Sequence, residues 1–230
     1  MNILDILFPK HCINCYRTGS FLCEDCKYLI EILENQYCHV CGKRLPSLNY
    51  TAVCKKCKSA TSLDGLYSAC SYRDKITRKL ITQLKFGLIK NLADPLSDLI
   101  ISHFQLLNKE FPNTLLIPIP LNKKTLRKRG FNQSELIADN LSKKMNLPLI
   151  TNVLFKEKET IPQAKLLVKE RMENVKGVFS VKNREMIKDK EILLIDDLYT
   201  TGTTMEECTK ILLKAGAKRV RGAVVAREEV

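Results

Sequence analysis

At 230 residues the chain is long enough for one α/β domain and a small appendage, with 45% hydrophobic side chains to build a core. Its apolar runs fall far short of the roughly 20 residues that cross a bilayer, which argues against membrane insertion. Thirty-eight basic against 25 acidic side chains leave a formal charge of +13, which favours anionic partners.

The opening "MNILDILF" lacks the basic start and long apolar run of a secretion signal, so a cytoplasmic protein is expected. Eight of the ten cysteines then fall into four CxxC pairs: Cys12/Cys15, Cys23/Cys26, Cys38/Cys41 and Cys54/Cys57. A CxxC turn brings two thiolates to one tetrahedral ion, and two such turns complete the Cys₄ shell of structural Zn²⁺. Seven residues separate the first two pairs and twelve the last two, and both gaps suit a knuckle-turn-knuckle ribbon. Disulfides compete as a reading, but they are rare in a reducing cytosol. Sequential pairing closes the shorter loops, while an interleaved cross-brace would use the same eight thiolates in one or two zinc sites. A closed Cys₄ shell leaves no position for water, so its role is architectural. His11 and His39 adjoin filled shells and read as surface residues. Cys70 and Cys208 read as ordinary core or surface thiols.

Residues 1–60 thus form a cysteine-rich double zinc ribbon, and residues 61–230 a second domain with alternating strand and helix signals. "KITRKLITQLKFG" has helical spacing up to Gly87, and "NLADPLSDLIISHFQLL" reads as a second helix. "TLLIPIPL" is a buried strand closed by prolines. "NKKTLRKRG" follows, with five positive charges in the eight residues from Lys123 to Gly130, and reads as a loop facing phosphates. "NQSELIADNLSKKM" is an amphipathic helix with Ser134 near its start. "EILLI" is a buried strand, "TTMEECTKILLKAGA" a helix, and "RVRGAVVA" a final strand. This alternation predicts a mainly parallel α/β sheet flanked by helices, with ligands at the carboxyl ends of its strands.

One such end carries "EILLIDDLYTTGTT". Four apolar residues deliver Asp196 and Asp197 to a loop of threonines, where Gly202 permits a tight turn. Backbone amides, the hydroxyls of Thr200, Thr201, Thr203 and Thr204, and the start of a helix can cradle a phosphate. The carboxylates can hold vicinal hydroxyls or Mg²⁺. A phosphate beside a diol describes a ribose 5-phosphate. A capped helix with acids in its first turn accounts for one Thr and one Asp, not for this whole set.

The stretch resembles the 5-phosphoribosyl-1-pyrophosphate (PRPP) motif of type I phosphoribosyltransferases. With "PIPLNKKTLRKRGFNQSELIA", "PQAKLLVKERMENVKGVF" and the cysteine pairs, nearly the whole chain is similar to the ComF family, phosphoribosyltransferase-like proteins linked to DNA uptake in natural competence. The resemblance implies a type I phosphoribosyltransferase-like sheet. It places the ribose hydroxyls and Mg²⁺ on Asp196 and Asp197, and the 5-phosphate on Thr200, Thr201, Gly202, Thr203 and Thr204. It gives the pyrophosphate to a loop carrying Arg127 and Arg129, with Gly130, Phe131, Asn132 and Gln133 shaping it. It assigns Gln163, Arg171 and Asn174 to a segment that closes over the substrate, although a charged surface helix also explains the last two. Lys85 is a further anion contact or an ordinary helix-surface lysine. Thr200 stands where hypoxanthine-guanine enzymes carry an acid, which disfavours oxopurine salvage.

Three readings follow. The chain handles incoming single-stranded DNA as a PRPP-binding competence protein. Alternatively it transfers ribose 5-phosphate from PRPP to an unidentified small-molecule acceptor. Or its zinc ribbon docks a competence helicase or another DNA-processing protein. Single-strand binders offer stacking aromatics, and Tyr16, Tyr37, Tyr50, Tyr72 and Phe131 are the scattered candidates. Tyr199, inside the motif, stacks on a base or belongs to the core.

Overall fold

The computed structural model describes residues 9–45, 53–158 and 177–228. Four strands build a wholly parallel sheet: β1 (Leu66–Ser71), β2 (Thr114–Pro118), β5 (Glu191–Tyr199) and β6 (Arg219–Arg227), in the order β1-β6-β5-β2. A small antiparallel pair, β3 (Leu154–Lys156) with β4 (Phe179–Val181), lies apart from it. The helices are α1 (Glu24–Tyr28), α2 (Lys75–Lys85), α3 (Ala93–Leu106), α4 (Lys123–Arg129), α5 (Gln133–Met145) and α6 (Thr203–Lys214).

Strand alternation divides the core into two layers. Leu193 and Ile195 of β5 pack with Leu80, Leu84, Leu96, Phe104 and Ile137 of α2, α3 and α5. Ile192 and Leu194 pack on the other face with Met205, Cys208 and Leu212 of α6 and with Leu154 and Phe179 of the β3–β4 pair. Helices on both faces explain why β5 is a continuous apolar run rather than an alternating one. Cys70 and Cys208 are both buried, and no ligand role is needed for either.

Three features depart from the sequence reading. β5 does not stop at Ile195; its ladder with β6 runs on to Tyr199↔Arg227, so both aspartates are strand residues. β1 and the β3–β4 pair carried no clear sequence signal, β3 and β4 being three residues each. The basic run is a helix, not a loop. Asn122 caps it by accepting from the Thr125 amide at 2.7 Å, and Gly130 closes it in the left-handed region at φ 79°. Three of its five cations, Arg127, Lys128 and Arg129, fill the last turn, where the helix dipole favours them.

The segment between the two cysteine groups is stitched to the edge of the sheet. Ile32 bridges Cys70 antiparallel, and the Leu33 amide donates to the Ala69 carbonyl at 2.8 Å, covering β1's open edge. From α3, buried His103 donates through Nδ1 to the Leu33 carbonyl at 2.8 Å. Burial lowers the His103 pKa to about 4, against the weaker opposing pull of that hydrogen bond. A depressed folded-state value means the stabilisation is complete above about 6.5 and is lost as pH falls towards 4. Unfolding in urea should therefore show a loss of about 2 kcal/mol between pH 7 and pH 5 that His103→Asn removes.

Candidate functional site

Each cysteine group is preassembled. Cys12, Cys15, Cys23 and Cys26 hold their four sulfurs within 4.8 Å of one another, as do Cys38, Cys41, Cys54 and Cys57. The pairing is sequential. All eight are free thiols, with Cys15 and Cys23 sulfurs 3.5 Å apart and Cys41 and Cys54 3.8 Å apart. A tetrahedral zinc with Zn–S of about 2.3 Å needs sulfurs about 3.8 Å apart, so both groups fit the ion. Backbone amides already favour one thiolate in each. Despite burial, Cys12 falls to about 6 and Cys38 to about 7 through hydrogen bonds from the main chain of neighbouring ligands. The first group packs into the core beside Ile13, Leu22 and Ile30, whereas the second has its own small cluster with Leu45 and Val53. His11 is exposed as expected. His39 is not: it is 5% exposed, lying edge-on to Tyr199 with ring centroids 6.2 Å apart.

The second centre forms at the carboxyl end of β5. Asp197 is 2% exposed and pairs with Lys85, the last residue of α2, at 2.7 Å. Asp196 accepts from the Ser134 hydroxyl at 2.8 Å and from the Asp197 amide at 2.9 Å. Ser134 reaches it because Asn132 caps α5, accepting from the Ser134 amide at 3.1 Å while donating to the Ile119 carbonyl at 3.0 Å. Thus the chain leaving β2 is tied to the end of β5.

Burial, then the adjacent Asp197 carboxylate, push Asp196 up to about 7 in spite of Lys85 and Ser134. Burial works against the Lys85 charge, yet Asp197 and Asp196 together hold its pKa above the ordinary value. Arg129, at the end of α4, hydrogen-bonds Gln133 and feels both carboxylates, although burial leaves its pKa lowered. Lys156 of β3 is lowered by burial, with Cys208 and Asp196 opposing. A buried and a half-buried acid thus share the Lys85 charge of α2, with Arg129 of α4 and Lys156 of β3 contributing at longer range. Arg127 stays exposed on α4, and Gln163, Arg171 and Asn174 fall outside the described residues.

Beyond Tyr199 the chain turns through residues 200–202 into α6. Gly202 sits at φ 76°, and a Cβ built there would lie 2.0 Å from the Tyr199 hydroxyl oxygen. The N-cap, Gly202, makes no side-chain cap, and α6 starts beside Thr201 and Thr203, with hydroxyls 2.9 Å apart. Backbone donors, hydroxyls and a dipole end of this kind accept an anion. The adjacent carboxylates offer hard oxygen donors of the type Mg²⁺ takes, one or two at a time with water and phosphate completing its shell.

Sequence reasoning left Lys85 undecided and missed Lys156 and Phe86. Phe86 follows Lys85 and is 74% exposed, with the Arg129 guanidinium 5.8 Å from its ring centroid. Two helical turns back on α2, Lys79 lies 5.2 Å from the centroid of Tyr16, itself 71% exposed on the first knuckle. Phe131 is buried, Tyr37 and Tyr72 are half-buried, and Tyr50 lies outside the described residues. Tyr199 is a core residue, only 8% exposed, so it offers no face to a base.

Among known proteins, residues 125–229 match the family model for the phosphoribosyl transferase domain, and residues 3–59 match the double zinc ribbon domain. Competence protein F of Haemophilus influenzae is 28% identical over 229 residues, covering 96% of this chain and 98% of the relative. Competence protein ComFC of Bacillus subtilis is 29% identical, covering 85% and 79%. DNA utilization protein YhgH of Escherichia coli is 27% identical, covering 80% and 81%.

Proposed function

Because this chain joins a double zinc ribbon to a phosphoribosyl transferase domain and is homologous to competence protein F and ComFC over most of its length, we propose that it binds PRPP with Mg²⁺ and handles incoming single-stranded DNA in natural competence. The observation that carries the reading is the Asp196–Asp197 pair at the end of β5, followed at once by the uncapped start of α6 at Gly202. A diol-and-cation site lies next to an anion cradle, as a ribose 5-phosphate requires.

In this reading Thr200, Thr201, Gly202, Thr203 and Thr204 hold the 5-phosphate, and Asp196 and Asp197 take the ribose hydroxyls and Mg²⁺. Bound Mg²⁺ would supply charge neutralisation for a pyrophosphate. Arg129 is the nearer of the two α4 arginines and would take that group with Lys85 and Lys156, while Arg127 would act from the exposed side of the helix. Gln163 and Arg171 would complete the cover.

DNA handling draws on the pairing of exposed rings with cations along α2. Lys79 and the Phe86 position are seven residues apart, two turns on one helix face. Tyr16/Lys79 and Phe86/Arg129 therefore make successive platforms for unpaired bases, the second at the rim of the acid pair. The alternative, transfer of ribose 5-phosphate to a small acceptor, draws on the same three cations. They would stabilise pyrophosphate as its bond to the ribose C1 breaks and a nucleophile attacks the opposite face.

Fluorescence anisotropy of a labelled single-stranded oligonucleotide separates the two. DNA handling predicts binding that weakens steeply with salt, weakens again in Arg127→Ala/Arg129→Ala, and falls about tenfold in Phe86→Ala. Affinity indifferent to salt and to Phe86 would leave the small-molecule transferase.

A further inference from the structure

The phosphate loop is held at both ends by the second cysteine group. Residues 200–202 leave from Tyr199 and enter α6, whose first turn contains Glu206. At the near end, the Tyr199 hydroxyl donates to the backbone carbonyl of His39 at 3.5 Å, and the two rings meet edge to face at 82°. His39 directly follows the ligand Cys38. The same hydroxyl oxygen is the atom against which Gly202 packs, so the position of Tyr199 sets the turn.

At the far end, Glu206 gathers the chain that leaves the group four residues after Cys57. Its Oε2 accepts from the Thr61 hydroxyl at 2.6 Å and from the Leu63 amide at 3.4 Å, while Oε1 accepts from the Ser62 amide at 2.8 Å. Thr61 closes the circuit. Since its proton goes to Glu206, its contact with His39 Nε2 at 3.1 Å is one in which the histidine donates. Hydrogen bonds from Ser62 and Leu63 hold Glu206 ionised against burial, the Thr61 hydroxyl being the strongest of these aids. A carboxylate in the first turn of a helix would ordinarily cap its own amides or screen its dipole end. Here it is turned to the 61–63 segment that follows the ribbon, leaving the start of α6 to the loop.

We propose that the second cysteine group is a positioning device for the phosphate loop. A closed zinc shell fixes Cys38 and Cys57, and through them His39 and the 61–63 segment. These in turn hold Tyr199 and Glu206 at the two ends of the turn. Tyr199 and Glu206 are positioning residues that touch no ligand. The affinity part of the proposal rests on the ribose-phosphate reading above; the structural part does not. Because binding free energies couple reciprocally, zinc in this group raises PRPP affinity by the same factor that PRPP raises zinc affinity.

The test uses the full chain and two variants. Cys41→Ser/Cys54→Ser opens the second shell, and Thr61→Val/Glu206→Gln cuts the far-end link and the Thr61–His39 contact while sparing all eight zinc cysteines. Metal analysis, amide hydrogen exchange and calorimetric titration of PRPP with Mg²⁺ are read on each. The cysteine variant is expected to lose one zinc. In both variants the Glu206 amide, bonded to the Gly202 carbonyl, and the Glu228 amide, bonded to the Tyr199 carbonyl, should exchange about tenfold faster. PRPP affinity should fall on the order of tenfold in both, and PRPP should slow zinc loss to a chelator in wild type but not in the Thr61/Glu206 variant. Should the cysteine variant not fold, the Thr61/Glu206 variant decides alone. Unchanged exchange at Glu206 and Glu228 in that variant would overturn the proposal. Wild-type protein that fails to bind PRPP, but shows the faster exchange in the variants, would overturn the ribose-phosphate reading and support the positioning role.

Discussion

Lys85→Met is expected to destabilise the fold by about 3–5 kcal/mol, far more than an exposed lysine warrants. The reason is Asp197. Its carboxylate is 2% exposed and has the Lys85 ammonium at 2.7 Å as its ion-pair partner. Removing that charge leaves a buried carboxylate that must be desolvated unpaired or take up a proton. The variant should also gain more stability from millimolar Mg²⁺ than wild type does, since a divalent cation replaces the missing counter-charge and binds only the folded site. Urea unfolding with and without Mg²⁺ measures both effects. A loss below 1 kcal/mol, or equal Mg²⁺ responses, would mean that Lys85 does not balance the acid pair.

Gly202→Ala should abolish ligand binding at the loop while sparing most of the fold. Two independent penalties fall on one methyl group. The backbone at φ 76° is costly for any residue with a Cβ, and that Cβ would sit 2.0 Å from the Tyr199 hydroxyl oxygen and 2.4 Å from the ring carbon bearing it. Tyr199 cannot retreat freely, because its other neighbours are His39 and the core layer around α6. The turn must therefore change shape, and the anion cradle changes with it. Calorimetric titration should find PRPP affinity reduced by more than about a hundredfold, a loss approaching 3 kcal/mol. Retention of wild-type affinity would show that the phosphate lies elsewhere.

The sequence displays these two sites unequally. The cysteine groups are legible because CxxC is a local rule: spacing alone brings two sulfurs to one ion, while the shorter loops only favour the sequential pairing that the structure shows. The turn after β5 is legible for the same reason, as Gly202 and its threonines lie within six residues of one another. β5 is legible only in part. Its apolar run announces a buried strand, but the two aspartates mimic a strand end, and only the ladder to β6 shows that it continues to Tyr199. The two acids find different partners, Asp197 pairing with Lys85 and Asp196 accepting from Ser134, and only the packed helices show it.

The cations around the acids are tertiary facts. Lys85 looks like any lysine at a helix end until α2 is laid against β5, and Lys156 lies on a three-residue strand. Local sequence marks His39 as a surface residue because the adjacent Cys₄ shell needs no fifth ligand; its burial comes with the packing of Tyr199, 160 positions away in the chain. The basic run also carries the local signals of a helix. Asn122 before it and Gly130 after it are the capping residues of a short helix, and the density of charge obscured them.

A PRPP site on Asp196, Asp197 and the turn at Gly202 can be read out by calorimetric titration of PRPP into wild type and into Asp196→Asn/Asp197→Asn, each with and without Mg²⁺. Such a site should give saturable binding at one site per chain that requires Mg²⁺ in wild type and is lost in the double variant. Equal affinity in the two proteins, or wild-type binding indifferent to Mg²⁺, would contradict it.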